Sequence, residues 1–181
     1  MTPAPVGAFN LRKPLAVDGP AVTALIAACP PLDANSAYCN LLQCTHFADH
    51  CVIAEDREGV AGWVSGYCPP SDPSAFFVWQ VAVAARARGG GLARRMIEAA
   101  LARRAAREAN HLITTITADN GASWALFEGL ARRWGARLEK SVLFERDAHF
   151  GGAHPTEWQV RIGPLPHPVC AVQTKEQELS L

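Results

Sequence analysis

The order of segments in this chain predicts an α/β (α+β) fold, a mixed sheet with helices on both faces. Three observations lead there. β-type runs and helical stripes succeed one another in the order β, α, α, β, β, β, α, β, α, β, β. The run FFVWQVAV at 76–83 is apolar on both alternating faces apart from Gln80, the pattern of a central strand covered on both sides. That run passes through a basic, glycine-rich turn, AARARGGG, into LARRMIEAALARRAAR, whose apolar positions recur at helical spacing.

Residues 1–8, with two prolines and small side chains, read as a flexible start, and 9–13 as the first strand. Asp18 before Gly19 and Pro20 is placed to cap a helix, because a carboxylate accepts free N–H groups and proline tolerates the first turn. Val22, Leu25, Ile26 and Cys29 then share one face until Pro30 and Pro31 stop the helix. Cap formers Asp33, Asn35 and Ser36 open a second helix within 32–47 that carries Tyr38, Leu41, Leu42 and Thr45. Runs at 51–55 and 60–67, joined by AspArgGluGly, form a hairpin, and a loop with Pro69, Pro70 and Pro73 leads to the central strand.

The helix from Leu92 to Arg107 has a stripe of Leu92, Met96, Ile97, Ala100 and Leu101, with Arg94 and Glu98 paired outside. A strand at 111–117 precedes a helix capped by Asp119 or Asn120 and running to about Trp134, with Leu126, Phe127 and Leu130 inward. A β-type run at 137–146, a polar loop at 147–155 and a strand at 157–162 complete one domain over 9–163. Residues 164–181, proline-containing and then polar, read as a flexible tail.

Seventeen basic and seventeen acidic residues in 181 leave no global field to gather nucleic acid or membrane phosphate. No apolar run reaches the roughly 20 residues of a membrane helix. Cys29, Cys39, Cys44, Cys51, Cys68 and Cys170 show neither a CxxC pair nor a regular spacing, which favours free thiols in a reducing cytoplasm. His46 and His50 stand one helical turn apart, but no glutamate follows His46 and no third ligand is evident, so no metal is expected.

The chemistry begins at the glycine turn. A strand feeding a helix N-terminus through glycines leaves N–H groups pointing one way, which suits an anion such as phosphate. The turn lacks the lysine and serine or threonine of an ATP-binding P-loop, and its glycine spacing does not fit the dinucleotide fingerprint. What fits is Arg/Gln-x-x-Gly-x-Gly/Ala after a strand, supplied by Arg88, Gly91 and Ala93. This pattern resembles the acetyl-CoA pyrophosphate turn of the GNAT acyltransferases. The following strand and DNGASWALF, with Asn120 at the family's cofactor-side asparagine, resemble that superfamily too. Within it LDANSAYCNLL, FVWQVAV, RGGGLA, TTITADNGAS, HFGG and RIGP, spread over 10–164, resemble the diaminobutyrate acetyltransferases of ectoine biosynthesis.

That resemblance implies the GNAT fold, a mixed, mostly antiparallel sheet splayed between its fourth and fifth strands with the acyl-pantetheine arm in the gap. It implies backbone pairing of Val81 and Val83 with the arm, and amides of Arg88, Gly89, Gly91, Leu92 and Ala93 around the pyrophosphate. Acetyl would pass from acetyl-CoA, the co-substrate, to the 4-amino group of L-2,4-diaminobutyrate, in a homodimer. Another small amine as acceptor, or a non-catalytic acetyl-CoA-binding regulator, are the alternatives.

An aliphatic ammonium, of pKa about 10 in water, must lose a proton before it attacks a thioester. Asp33 and Glu157 match acidic positions of the family, Glu157 as base and Asp33 as partner of the second ammonium. Trp79 and Tyr38 would bind substrate, and His154, three residues before Glu157, would orient or relay a proton. From spacing alone, each has a plain structural reading as well: helix cap for Asp33, strand-end charge for Glu157, core for Trp79, helix cover for Tyr38, surface group for His154. Two departures from common GNAT chemistry stand out. Phe127 occupies the position of a thiolate-protonating tyrosine, and Gln80 that of a glutamate base.

Overall fold

In the computed structural model, which describes residues 9–166, β1 (Asn10–Arg12) leads to helices α1 (Gly19–Ala27) and α2 (Ala37–Thr45). Strands β2 (Val52–Asp56), β3 (Gly59–Tyr67) and β4 (Ala75–Val83) follow, then α3 (Leu92–Leu101), β5 (His111–Thr117) and α4 (Gly121–Trp134). The chain ends its described course in β6 (Arg137–Phe144), α5 (Arg146–Phe150) and β7 (Glu157–Gly163). The expected start at 1–8, the tail from 167 on and Cys170 lie outside the described residues. Leu165, which belongs to the expected tail, is buried, and its N–H donates to Asn110 O at 2.7 Å.

The chain divides into two compact units: one holds the chain up to Tyr67 together with Val78–Ala106, the other Cys68–Phe77 and everything from Arg107 on. β4 therefore belongs to both, its first three residues to the second. In the first unit the strand order is β1-β2-β3-β4, with β1–β2 and β2–β3 antiparallel. In the second it is β5-β7-β6, both pairs antiparallel. Asn110 and His111 N–H groups both donate to Ser74 O, so the chains entering β4 and β5 start side by side.

The expected face of α1 is buried: Val22, Leu25, Ile26 and Cys29 join Cys44, Cys51, Ile53, Trp63 and Ala82 in one cluster. Each fully buried aliphatic side chain there removes enough apolar surface from water to contribute about 1.5–3 kcal/mol. The stripe of α3 is buried as well, and it approaches β3 closely because Gly62 has no side chain; a Cβ there would lie 2.7 Å from Met96 Sδ. Burial pushes the Cys44 thiol up to about 11 and the Cys51 thiol up to about 12.

Four expectations are corrected. Asp18 does not cap α1 with its side chain; its carboxylate takes both guanidinium nitrogens of Arg12, at 2.7 and 2.8 Å, and the Leu15 N–H at 2.7 Å. A bidentate cation only six residues upstream outcompetes the helix amides. Helix α3 stops at Leu101 rather than continuing to Arg107, because its apolar stripe ends there and Arg103 turns back to donate to Ala48 O and Cys51 O. The expected loop at 147–155 contains α5, capped by His149 Nδ1 accepting the Glu145 N–H and ended by Gly151 in the left-handed region at φ 56°. Finally, β4 is not covered on both sides: Phe76, Val78, Gln80 and Ala82 are buried, while Trp79 on the alternate face is 44% exposed.

The Arg12–Asp18 pair yields a stability prediction. Arg12 holds the Asp18 carboxyl below the usual carboxylate range, so its contribution is complete above the ordinary aspartate pKa of 3.8 and disappears as pH falls through the lower folded value. Because Arg12 is 29% exposed and keeps Glu55 as a second partner, Asp18→Asn is expected to cost about 2 kcal/mol at pH 7 rather than the larger cost of breaking a fully buried pair. Urea unfolding at pH 7 and pH 3 measures the difference, which should shrink at the lower pH.

Candidate active site

In the first unit, β4 runs into the glycine turn. Gly89 and Gly91 sit at φ 82° and 72°, a region that side chains with a Cβ enter at a cost, so glycine at both lets the chain turn sharply into α3. The bond from Arg95 N–H to Gly91 O is 3.1 Å, and by helix geometry the amides of Leu92, Ala93 and Arg94 before it have no acceptor within the helix. The first turn of α3 carries no acidic residue, so the helix dipole and these amides together favour an anion.

Arg88 folds back rather than outward: Nε donates to Val83 O at 3.0 Å, and Nη2 lies 3.6 Å from Cys29 Sγ. The Cys29 thiol also donates to Val83 O, at 3.4 Å. Arg88 thus ties the turn to the end of β4. Val81 and Val83 are half-buried on the same alternate face as Trp79.

The acceptor-side candidates of this unit fall into two groups. Trp79 meets Tyr67 edge-on at 6.1 Å, and Tyr67 meets Phe47 edge-on at 6.1 Å, giving a partly open aromatic wall. An ammonium against such a face gains about 0.5–2 kcal/mol. Tyr67 and Phe47 were not singled out from the sequence; the adjacency of β3 and β4 that brings Tyr67 to Trp79 is a long-range pairing. Asp33 lies in the irregular segment before α2, and Ser36, not Asp33, caps that helix: its Oγ accepts the Cys39 N–H at 3.1 Å. The cap reading of Asp33 is thereby removed. Tyr38, in the first turn of α2, is 70% exposed.

In the second unit, Glu157 opens β7, opposite Thr117 of β5 on one side and Phe144 of β6 on the other. His154 Nε2 lies 3.8 Å from Glu157 Oε1. His154 Nδ1 is 2.8 Å from Pro155 O, and a carbonyl only accepts, so Nδ1 carries a hydrogen and Nε2 is the ring nitrogen turned toward the carboxylate. Phe150 packs against the His154 ring at 4.7 Å and holds its plane. Asp119, just beyond β5, has its carboxyl held below the usual range by the Thr117 hydroxyl, with the His154 charge a smaller cause.

Asn120 caps α4, Oδ1 accepting the Ser123 N–H at 3.1 Å. Phe127 is buried in α4, so its position offers no proton donor. Lys140 lies over the rings of Trp124 and Trp158 at about 6 Å from each. Among the described residues, no group of three or more His, Cys, Asp or Glu side chains is arranged to hold a metal ion. No helix among them is long and apolar enough to cross a membrane.

The acetyltransferase (GNAT) family matches residues 21–131. The L-2,4-diaminobutyric acid acetyltransferase of Methylotuvimicrobium alcaliphilum is 49% identical over 157 residues, covering 87% of this chain and 91% of that protein. Its counterpart in Halomonas elongata is 50% identical over 156 residues, covering 86% and 81%. Among solved structures, a diaminobutyrate acetyltransferase of Paenibacillus lautus in complex with its substrate L-2,4-diaminobutyric acid and coenzyme A superposes with a TM-score of 0.83 at 34% identity, covering 87% of this chain and 96% of that one.

The two atoms of the Asn120 amide group separate experimentally. Asn120→Ala removes the helix cap and is expected to cost about 1 kcal/mol in thermal unfolding, whereas Asn120→Asp keeps the accepting oxygen and should unfold within a few tenths of the parent.

Proposed function

Because the chain belongs to the acetyltransferase (GNAT) family and, within it, to the L-2,4-diaminobutyric acid acetyltransferases, we propose that it transfers acetyl from acetyl-CoA to the 4-amino group of L-2,4-diaminobutyrate. The product is N4-acetyl-L-2,4-diaminobutyrate. The single observation that carries this reading is the likeness, over nearly the whole chain, to a relative solved with that substrate and coenzyme A.

The residues divide the work as follows. Amides of Gly89, Gly91, Leu92 and Ala93 hold the pyrophosphate at the positive end of α3, with Arg88 holding the turn in shape. Backbone groups of Val81 and Val83 pair with the pantetheine arm, and Asn120 adds a contact on the cofactor side. Asp33 binds the ammonium that is not acetylated, Trp79 lays an aromatic face against a cation, and Tyr38 adds a hydroxyl. Glu157, directly or through a water, takes a proton from the 4-ammonium, and His154 orients that carboxylate.

The freed lone pair attacks the thioester carbonyl carbon. The N–C bond forms, the nitrogen of the tetrahedral intermediate gives its second proton to solvent, the C–S bond breaks as the intermediate collapses to the amide, and the coenzyme A thiolate departs. With Phe127 where a tyrosine acid would stand, the thiolate takes its proton from solvent, which a thiol of pKa about 8.5 permits.

The match over 21–131 runs through parts of both units, which supports one GNAT domain over 9–163. We take the protein to be a cytoplasmic homodimer that binds neither nucleic acid nor membrane. Its balanced charge and its free, buried or half-buried thiols at Cys29, Cys39, Cys44, Cys51 and Cys68 support the location. Exposed Val142 and Phe144 on the edge strand β6 support the dimer.

Thiol release from acetyl-CoA with a panel of diamines, and the acetylated nitrogen fixed by NMR, tests the reaction; equal rates on unrelated amines would overturn the assigned acceptor, and cofactor binding without turnover would make the protein a regulator. Glu157→Gln should lower kcat across the whole pH range, and a parent-like pH–rate profile in that variant would remove Glu157 from the base role. Asp33→Asn should act mainly on the KM for the diamine.

A further inference from the structure

We propose that Gln80 is a positioning residue for the acceptor: it fixes the backbone that carries Asp33, and so sets where the diamine's second ammonium is held. This rests on the reading of Asp33 given above. Gln80 occupies the strand position where related chemistry uses a glutamate base, yet an amide takes up no proton at working pH. Its side chain points away from Trp79 by the alternation of β4 and is 7% exposed.

Both ends of that buried amide are engaged by the segment before α2. Nε2 donates to Asp33 O at 2.7 Å, and Oε1 accepts from Asn35 Nδ2 at 2.7 Å. The Asn35 amide also donates to Asn40 Oδ1 at 3.3 Å; fully buried Asn40 donates to Thr23 Oγ1 at 2.9 Å, and the Thr23 hydroxyl donates to Gly19 O at 2.9 Å. The Asn35 amide donates both to Gln80 of the strand and to Asn40 of α2, so a continuous set of side-chain bonds links the strand, the segment, α2 and α1.

Residues 32–36 lie outside helix and strand, so no ladder of backbone bonds fixes them. Gln80 takes over that task across 47 positions of sequence. Only a side chain with a donor and an acceptor on one planar group satisfies both partners. A carboxylate would set a negative oxygen against the Asp33 carbonyl, and an aliphatic side chain would leave Asn35 and Asp33 O without their bonds. Such a loss shifts Asp33 without touching the cofactor turn.

Steady-state kinetics of the parent, Asp33→Asn, Gln80→Leu, Gln80→Glu and the double variant Asp33→Asn/Gln80→Leu, from pH 6.5 to 9.5, test this. Gln80→Leu should raise the KM for the diamine about tenfold at every pH, with the KM for acetyl-CoA within about twofold and a cooperative melt retained. In Gln80→Glu the KM for the diamine should climb with pH, because the introduced carboxyl, while protonated, can still donate to Asp33 O and accept from Asn35. The double variant should be no worse than the poorer single variant, since both changes act on one contact.

Three outcomes overturn the inference: an unchanged diamine KM in Gln80→Leu, a parallel loss of kcat, both KM values and melting temperature, or additive effects in the double variant. Failure of the parent to acetylate diaminobutyrate, or of Asp33→Asn to affect its KM, instead overturns the functional reading on which the inference stands. The two failures are thus distinguishable.

Discussion

The alternation of β4 is the constraint on which the first unit depends. Successive residues of a strand point to opposite sides, so the part of β4 in this unit must bury Val78, Gln80 and Ala82 on one side and leave Trp79 open on the other. A slip of one residue would bury the tryptophan face and expose the glutamine, breaking the bonds to Asp33 and Asn35 together. The strand's end is equally constrained, because Val83 O receives both Arg88 and Cys29 and thereby fixes where the glycine turn begins. Donor turn and acceptor segment are both referred to the register of this one strand.

Most of the architecture was legible in the sequence because it is encoded locally. The hairpin β2–β3, the buried face of α1, the stripe of α3 and the Asn120 cap each follow from side-chain periodicity or a capping residue within a few positions. What escaped depends on contacts that no periodicity or capping pattern displays. Helix α5 is five residues long, too short for a period to show, and Thr156, ten residues beyond Arg146, accepts that residue's N–H. Asp18 stands in a cap's sequence context, yet its carboxylate is taken by the Arg12 guanidinium.

The site shows the same division. The glycines of the turn are legible, since a strand that feeds a helix through them is a local pattern that suits an anion. Family resemblance, rather than any spacing, brought forward Asp33, Trp79, His154 and Glu157. Tyr67 and Phe47 stayed hidden because their part in the aromatic wall exists only once β3 lies beside β4. Gln80 was legible as an anomaly, a polar residue in an apolar strand, but its meaning required the segment it holds.

The buried thiols have a chemical consequence for a protein that handles a thioester. A thiolate exchanges acyl groups with thioesters readily, and an enzyme bathed in its own donor is exposed to that side reaction at each ionised cysteine. Cys44 and Cys51, with pKa pushed up to about 11 and about 12, remain protonated at neutral pH. Cys44 and Cys51 are thus kept as poor competitors for the acetyl group, which favours the incoming amine as the nucleophile.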